Sequence, residues 1–203
     1  MTDVTGAPDA TRARVVVVSG GLGAPSTSRR LADRITGHVE RALAAHGCRA
    51  EVNVIELREF AVAIAHRLVD GVSDAALTDA LERLETADGI VAVTPVFNGS
   101  VSGLFKSFFD LVQPQALQGI PMALGATGGS ARHSLVIEYA LRPLMTYLRT
   151  FPMPTGVFAA TTDWGDELAG TSEIESLETR TARLGRELAD AMRLGLEQRF
   201  DGL

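Results

Sequence analysis

Residues 19–28 concentrate three glycines and four hydroxyl side chains in one short acid-free segment, directly after a run of four valines. The following residues have helical periodicity, so these hydroxyl groups would lie at the N-terminus of a helix. Free N–H groups and the positive end of the helix dipole attract phosphate at that position. Ser26, Thr27 and Ser28 can add donors, and a bound anion would offset the cost of Arg29 and Arg30 in the first helical turn. An N-cap explains one hydroxyl only, so the segment predicts a phosphate-binding loop.

The same loop excludes two common nucleotide-binding motifs. A P-loop requires G-x-x-x-x-G-K-[ST], and the loop contains no lysine. The dinucleotide pattern G-x-G-x-x-G fails because Ser26 stands where its third glycine should be. A single terminal phosphate dianion, such as that of flavin mononucleotide (FMN), needs neither Mg²⁺ nor lysine and fits the loop better.

A second unusual segment, residues 94–100, follows a short apolar run. Pro95 is expected to stop a strand, and Asn98-Gly99 is typical of a tight turn. Such a loop exposes backbone N–H and C=O groups, which suit the edge of a flat heterocycle, and Phe97 adds one aromatic ring. The alternative is an ordinary turn without a ligand.

A third segment, residues 125–133, contains adjacent glycines that would let a ligand approach the backbone closely. Arg132 and His133 could face a phosphate or a ring edge, although a histidine here is more often a helix-start residue than a base. The hydrolase pattern G-x-S-x-G is excluded because Arg132 occupies its last glycine position.

The single cysteine, Cys48, rules out an intrachain disulfide and a cysteine-only metal site. We therefore nominate no catalytic residue and no metal ligand.

The three segments are connected by alternating strand and helix patterns. Predicted strands cover residues 15–18, 51–55, 90–93, 120–124 and 156–160, and predicted helices cover 31–43, 77–87, 104–112, 132–150 and 172 onward. Residues 58–71 are expected to form a surface loop. This alternation predicts an α/β fold: a flavodoxin-like, doubly wound, five-stranded parallel sheet of order 2-1-3-4-5 with helices on both faces. Ligands bind such sheets at the carboxyl ends of the strands, where the three segments fall.

Two helices carry further expectations. Pro143 lies inside the predicted helix 132–150 and leaves the carbonyl of Tyr139 without its donor, so the helix should kink or contain a π-bulge that pushes Tyr139 outward. In the last helix, Leu177, Leu184 and Ala191 are seven residues apart. This spacing fits either packing on the sheet or a subunit interface.

Length and charge limit the classes of protein. The 203 residues, with a net charge of −6, predict a flexible tail at 1–13 and one domain at 14–197. The acidic balance argues against a nucleic-acid partner. The longest apolar runs are too short for a membrane span, and no secretory signal is recognisable, so we expect a cytoplasmic protein with no membrane partner.

Three stretches, SGGLGAPSTSRRLA, TPVFNGSVSGLFKSFFD and GATGGSARHSLVIEYALRPL, together resemble the NADPH-dependent FMN reductase family. They are most similar to reductases that supply reduced FMN to two-component flavin monooxygenases of the sulfonate-utilisation and luciferase-like type. The resemblance covers residues 15–160 and implies three sets of cofactor contacts. The FMN phosphate would be bound by Ser19, Leu22, Ser26, Thr27 and Ser28. The isoalloxazine ring would lie along Pro95, Val96, Phe97, Asn98, Gly99 and Ser100, with Phe97 in place of the usual tyrosine, and would be flanked on its other side by Thr127, Gly128, Gly129 and Ser130.

The resemblance also implies an NAD(P)H:FMN oxidoreductase. Hydride would pass from nicotinamide C4 to flavin N5, and the reduced flavin would serve a partner monooxygenase. The resemblance also implies a homodimer or homotetramer. Related sulfonate-type reductases have a π-helix at a tetramer contact near the flavin, and Tyr139 would be the residue that the corresponding bulge pushes out here. Two alternatives stay open: an enzyme with tightly bound FMN that reduces quinones, azo compounds or chromate, and a flavodoxin-like electron carrier. The choice between NADH and NADPH is also open, because Arg29, Arg132 and Arg142 could each face a 2′-phosphate.

Overall fold

Five long parallel strands form the centre of the computed structural model, which describes residues 11–165 and 175–201. The five long strands are β1 (Arg12–Ser19), β2 (Arg49–Glu56), β3 (Gly89–Phe97), β5 (Pro121–Gly128) and β6 (Phe151–Ala160), and a sixth strand, β4 (Ser100–Val101), has only two residues. Their order is β2-β1-β3-β5-β6, and the two-residue β4 pairs antiparallel with the end of β3. With β4 set aside, this is the predicted order 2-1-3-4-5, so the predicted fold class is confirmed.

Helices cover both faces of the sheet. They are α1 (Thr27–Ala45), α2 (Ala61–Val69), α3 (Ala75–Glu85), α4 (Gly103–Phe109), α5 (Arg142–Tyr147) and α6 (Leu177–Asp201). Val15 and Val17 of β1 face the core formed with α1 and α6, whereas Val16 and Val18 face the core formed with α2, α3, α4 and α5. Successive strand residues point to opposite faces, so a continuous valine run is what a strand buried on both sides requires. In the described residues, no helix combines the length and the apolar character that a membrane crossing needs.

The structure corrects the prediction of a surface loop at residues 58–71. A 3₁₀ helix (Leu57–Phe60) leads directly into α2. Leu57 and Ile64 are buried, but Ile64 is the one buried residue of α2. A helix that buries so little shows no periodic apolar stripe, so the sequence pattern did not reveal it.

The predicted end of the third strand is also wrong, because β3 continues through Pro95 to Phe97. The carbonyl of Val93 accepts a hydrogen bond from the N–H of Gly20, on the side of β3 that faces β1. Strand alternation places Pro95 on that same side, beyond the end of β1, where a missing N–H leaves no ladder bond unmade. Pro95 therefore stays in register, opposite Thr127 of β5.

The N-terminal boundary shifts slightly. β1 begins at Arg12, so the last two residues of the predicted tail, 12 and 13, belong to the sheet. Residues 1–10 of that tail lie outside the described residues, and the single domain at 14–197 stays a prediction.

The predicted continuous helix at 132–150 is replaced by three short helical segments. A 3₁₀ helix (Ala131–His133) is followed by a π-helix (Ile137–Leu141) and then by α5, which has Pro143 near its start. The N–H of Arg142 donates to the carbonyl of Ile137, five residues back, so the π-bulge alternative is confirmed over the simple kink. Tyr139 lies within the bulge and its side chain is 78% exposed.

The seven-residue spacing in α6 reflects packing within the chain. Leu177, Thr181, Leu184 and Leu188 are buried, and the three leucines belong to the core between α6, α1 and the sheet. The predicted start of this helix, including Ile174, lies outside the described residues. Packing within the chain therefore explains the seven-residue spacing without a subunit interface.

A pair of glycines in α6 tests this packing. A Cβ at Gly185 would lie 2.5 Å from the Cβ of His38 and 3.0 Å from the α1 backbone, whereas a Cβ at Gly195 would meet nothing within 4 Å. We expect Gly185→Ala to lower the free energy of unfolding by about 1–3 kcal/mol because the two helices are forced apart. Gly195→Ala should raise it by about 0.5–1 kcal/mol through helix propensity alone. Urea denaturation measures both, and equal stabilities would contradict the close α1–α6 contact.

Candidate functional site

The carboxyl ends of β3, β5 and β6 and the start of α1 enclose a cleft of about 200 Å³. It is lined by Thr27, Pro95, Val96, Phe97, Thr127, Gly128, Gly129, Ala159, Thr161 and Trp164. The cleft lies near β1 and β3, where the strand order reverses, which is the position for ligands in a doubly wound sheet. All three segments singled out in the sequence contribute to it.

The N-terminus of α1 presents anion-binding groups to this cleft. Ser26 is the N-cap, and its hydroxyl accepts a hydrogen bond of 3.1 Å from the N–H of Arg29. The N–H groups of Thr27 and Ser28, at the start of the helix, have no carbonyl acceptor within it and can donate to a ligand. The first turn contains no acidic residue, and the exposed Thr27 lines the cleft. This donor set fits a terminal phosphate.

The other predicted phosphate contacts are placed differently from Thr27. Ser28 is buried, and its hydroxyl lies 2.8 Å from that of Thr127, which ties the start of α1 to β5. Ser19 is also buried, and among the described residues its hydroxyl finds no hydrogen-bond partner. Leu22 is 52% exposed in the loop but does not line the cleft. In this structure, Thr27 is therefore the one predicted phosphate-binding side chain that reaches the cleft.

The glycines of the site have two different roles. A Cβ at Gly21 would overlap the hydroxyl of Ser26, so Gly21 is needed for the loop to close onto the helix cap. A Cβ at Gly129 would meet nothing within 4 Å. Gly129 therefore leaves open space beside the cleft, as expected of a backbone that a flat ring approaches.

The second segment forms a β-hairpin. Asn98 (φ 50°) and Gly99 (φ 83°) occupy a two-residue turn between β3 and β4, for which Asn-Gly is the favoured pair. The hairpin presents Pro95, Val96 and Phe97 to the cleft, whereas Asn98, Gly99 and Ser100 are exposed outside its lining. Phe97 is 47% exposed, so its ring is available to pack against a planar ligand.

The third segment is partly strand. β5 extends to Gly128, so Thr127 and Gly128 are strand residues and the predicted loop begins only at Gly129. A Cβ at Gly128 would lie 2.9 Å from the ring of Phe158, which explains the glycine on the sheet side. Ser130 caps the following 3₁₀ helix and does not line the cleft.

Sequence reasoning missed the wall that follows β6. A 3₁₀ helix (Thr161–Trp164) brings Trp164 to the cleft, and the carboxylate of Asp163 accepts from the N–H of Ala160 at 2.9 Å. The guanidinium of Arg30 lies 4.4 Å from the centre of the Trp164 ring. A signal was present, because Trp164 is the only tryptophan and follows the carboxyl end of the last predicted strand.

The structure also changes the role assigned to Arg29. Its guanidinium pairs with Asp33 at 2.7 Å and with Glu56 at 2.5 Å. The hydrogen bond to Asp33, and then the further interactions with both carboxylates, raise the pKa of Arg29. Arg29 is thus compensated by the protein itself, so its place in the first turn of α1 does not by itself call for a bound anion.

A doubly wound sheet with a helix N-terminus and a cleft at its carboxyl edge defines a flavodoxin-like protein. The model of the NADPH-dependent FMN reductase family matches residues 13–165. The chain is 37% identical over 147 residues to the NADH-dependent FMN reductase SfnF of Pseudomonas putida, with 72% of this chain and 77% of that protein covered. It belongs to the NADPH-dependent FMN reductase family.

Two further comparisons agree with this assignment. The FMN reductase (NADPH) of Pseudomonas aeruginosa is 35% identical over 151 residues, which cover 74% of this chain and 78% of that protein. The crystal structure of an oxidoreductase from Corynebacterium diphtheriae superimposes with a TM-score of 0.84 at 41% identity, covering 92% of this chain and 99% of that one. The predictions of an NAD(P)H:FMN oxidoreductase, with FMN and NAD(P)H as its cofactors, are confirmed by this family membership.

Proposed function

We propose that the chain catalyses hydride transfer from C4 of the nicotinamide to N5 of FMN and releases reduced flavin to a partner monooxygenase. The observation that carries the proposal is the cleft, in which Thr27 at the start of α1 and Phe97 at the end of β3 line one continuous space. A phosphate donor set and an exposed ring wall are thereby combined in one site. The redox chemistry is supplied by the flavin and the nicotinamide when they are bound.

The contribution of the chain itself is binding and orientation. The N-terminus of α1 holds the phosphate, and Phe97 and Trp164 provide apolar surface for the ring. Gly129 leaves the space into which the ring edge fits. Holding two reactants together accounts for a large rate effect without a general acid or base, so we assign no catalytic side chain.

The charge balance of the site limits which groups can meet the flavin phosphate. Arg29 and Arg58 both pair with Glu56, at 2.5 Å and 2.8 Å, so neither is a free counter-charge for a phosphate. The helix N-terminus and Arg30 are left to meet the phosphate charge. Whether the flavin exchanges or stays bound is decided by the filtration experiment described below.

We place a subunit contact of the proposed homodimer or homotetramer at the π-helix. Exposed apolar side chains cluster along this part of the chain: Leu135, Tyr139, Tyr147 and Phe151. The supporting observation is the outward position of Tyr139 in the bulge, which is unusual for a large aromatic residue.

An anaerobic filtration experiment separates the candidate functions. The purified chain is mixed with NADPH and excess FMN, and the solution is passed through a membrane that retains protein. We expect reduced FMN in the filtrate in amounts far above the protein concentration. A flavin that stays with the protein and turns over only when a quinone is added would favour the tightly bound alternative. A flavoprotein that does not oxidise NAD(P)H would favour the electron carrier.

A further inference from the structure

NADH and NADPH differ in one group, the 2′-phosphate of the adenosine ribose. A protein that prefers NADPH therefore needs a cation placed to meet this phosphate, commonly an arginine. Seven arginines lie on the elements around the carboxyl edge of the sheet or next to it: Arg29, Arg30, Arg34, Arg58, Arg132, Arg142 and Arg180. Arg34 pairs with Glu178 at 3.8 Å and Arg180 with Asp163 at 3.3 Å, so five candidates are left. Their present partners distinguish them.

Three of these arginines are already paired. Arg29 binds Asp33 and Glu56, and Arg58 binds Glu56 at 2.8 Å. Arg142 pairs with Glu138 at 2.7 Å and donates to the carbonyls of residues 153 and 154 at 2.8 and 3.1 Å. A new phosphate contact at any of them would have to replace existing charge-assisted hydrogen bonds, so we exclude these three.

Arg30 has no carboxylate partner within the described part of the chain, but it lies close to the expected position of the flavin phosphate. Its guanidinium lies over the ring of Trp164, and it follows Thr27 in the first turns of α1. This is the end of the cleft where the flavin phosphate would be bound. Arg30 therefore belongs to the flavin side of the site.

Arg132 is close in sequence to the cleft lining, exposed, and without a carboxylate partner in the described residues. It follows Gly128 and Gly129, which line the cleft, and its backbone N–H donates to the hydroxyl of Ser130 at 3.4 Å, within the 3₁₀ helix 131–133. The side chain is exposed, and among residues 11–165 and 175–201 no carboxylate pairs with it. Its five N–H donors thus have no competing carboxylate, and Arg132 stands three residues after Gly129, which lines the cleft.

We infer that Arg132 binds the 2′-phosphate of NADPH and gives this chain a preference for NADPH over NADH. The inference rests on the proposed function, because it assumes that a nicotinamide nucleotide enters this cleft. Neither the sequence pattern nor the fold determines whether the chain prefers NADPH or NADH.

The test compares three variants: Arg132→Gln, Arg132→Lys and Arg30→Gln. We expect Arg132→Gln to reduce the ratio of kcat/KM for NADPH to kcat/KM for NADH by about tenfold to a hundredfold, the effect of losing charge-assisted hydrogen bonds. Arg132→Lys should restore most of the ratio, because the charge is kept. Arg30→Gln, the matched control, should raise the KM for FMN without changing the ratio.

A binding measurement keeps this inference distinct from the proposed function. Adenosine 2′,5′-diphosphate should bind the wild-type chain more tightly than adenosine 5′-diphosphate, and Arg132→Gln should abolish the difference. An unchanged nucleotide ratio in Arg132→Gln, or a wild-type preference for NADH, would overturn the role of Arg132. If the wild-type chain oxidises neither nucleotide in the presence of FMN, the proposed function fails, and equal binding of the two diphosphates would then overturn the inference as well.

Discussion

Thr27→Glu is expected to weaken FMN binding by at least about a hundredfold while the chain stays as stable as before. Thr27 is the exposed residue at the start of α1 that lines the cleft, so a carboxylate there would repel the phosphate dianion. The same carboxylate interacts favourably with the helix dipole, and the first turn has no other acidic residue. Loss of binding would therefore not reflect unfolding.

Two controls isolate the charge effect in Thr27→Glu. Thr27→Gln has nearly the same shape without the charge and should weaken FMN binding about tenfold or less, the loss of one hydrogen bond. Riboflavin, which lacks the phosphate, should bind wild type and Thr27→Glu equally. Titration followed by flavin fluorescence gives all five dissociation constants, three for FMN and two for riboflavin. An unchanged FMN constant in Thr27→Glu would mean that the phosphate does not lie at α1.

The second large effect is expected for Gly129→Leu, which should reduce FMN affinity by about a hundredfold or more by filling the space beside the cleft. Gly129 is absent from the residues with positive φ, and a Cβ there meets no protein atom within 4 Å. A leucine can therefore be accommodated without strain in the protein alone, and the melting temperature should change little.

Gly37→Leu is the matched control for this substitution. Gly37 is in the middle of α1, and its nearest neighbour is the end of the flexible Arg41 side chain at 3.8 Å. The substitution adds the same apolar volume far from the cleft, so FMN affinity should be unchanged. If Gly129→Leu bound FMN normally, the open space at Gly129 would not be part of the flavin site.

Thr27 is a better probe of the phosphate site than the neighbouring serines. Ser26 caps α1, and Ser28 is hydrogen-bonded to Thr127, so removing either hydroxyl would disturb the protein as well as any ligand contact. Loss of an N-cap alone costs about 1 kcal/mol. The sequence shows three adjacent hydroxyls, but it does not show which of them form hydrogen bonds within the protein.

The parallel sheet and its burial on both faces were predictable because they follow from local patterns, and the strand order then followed from the doubly wound fold type. The valine run at 15–18 identifies a strand buried on both faces, and alternating helices imply parallel crossovers. The extension of β3 through Pro95 was not predictable, because it depends on where the neighbouring strand β1 ends. The helix α2 was missed because it buries only Ile64.

The candidate site was predicted in outline for a similar reason. The carboxyl-end rule brings Thr27, Phe97 and Gly129 together from three distant segments. The positions of Ser19 and Ser28 inside the protein depend on side-chain packing, which spacing does not reveal. Trp164 was missed because its position at the cleft depends on the 3₁₀ helix after β6, which the sequence pattern did not reveal.

The rate of NADPH oxidation by the purified chain, measured with and without added FMN, decides whether flavin is reduced in this cleft. We expect slow oxidation without FMN and a rate that rises and saturates as FMN is added. With Thr27→Glu, the FMN concentration for half-saturation should increase by at least about a hundredfold. Oxidation that never exceeds the rate of NADPH and FMN mixed without protein would contradict the assignment of this cleft as the site of flavin reduction.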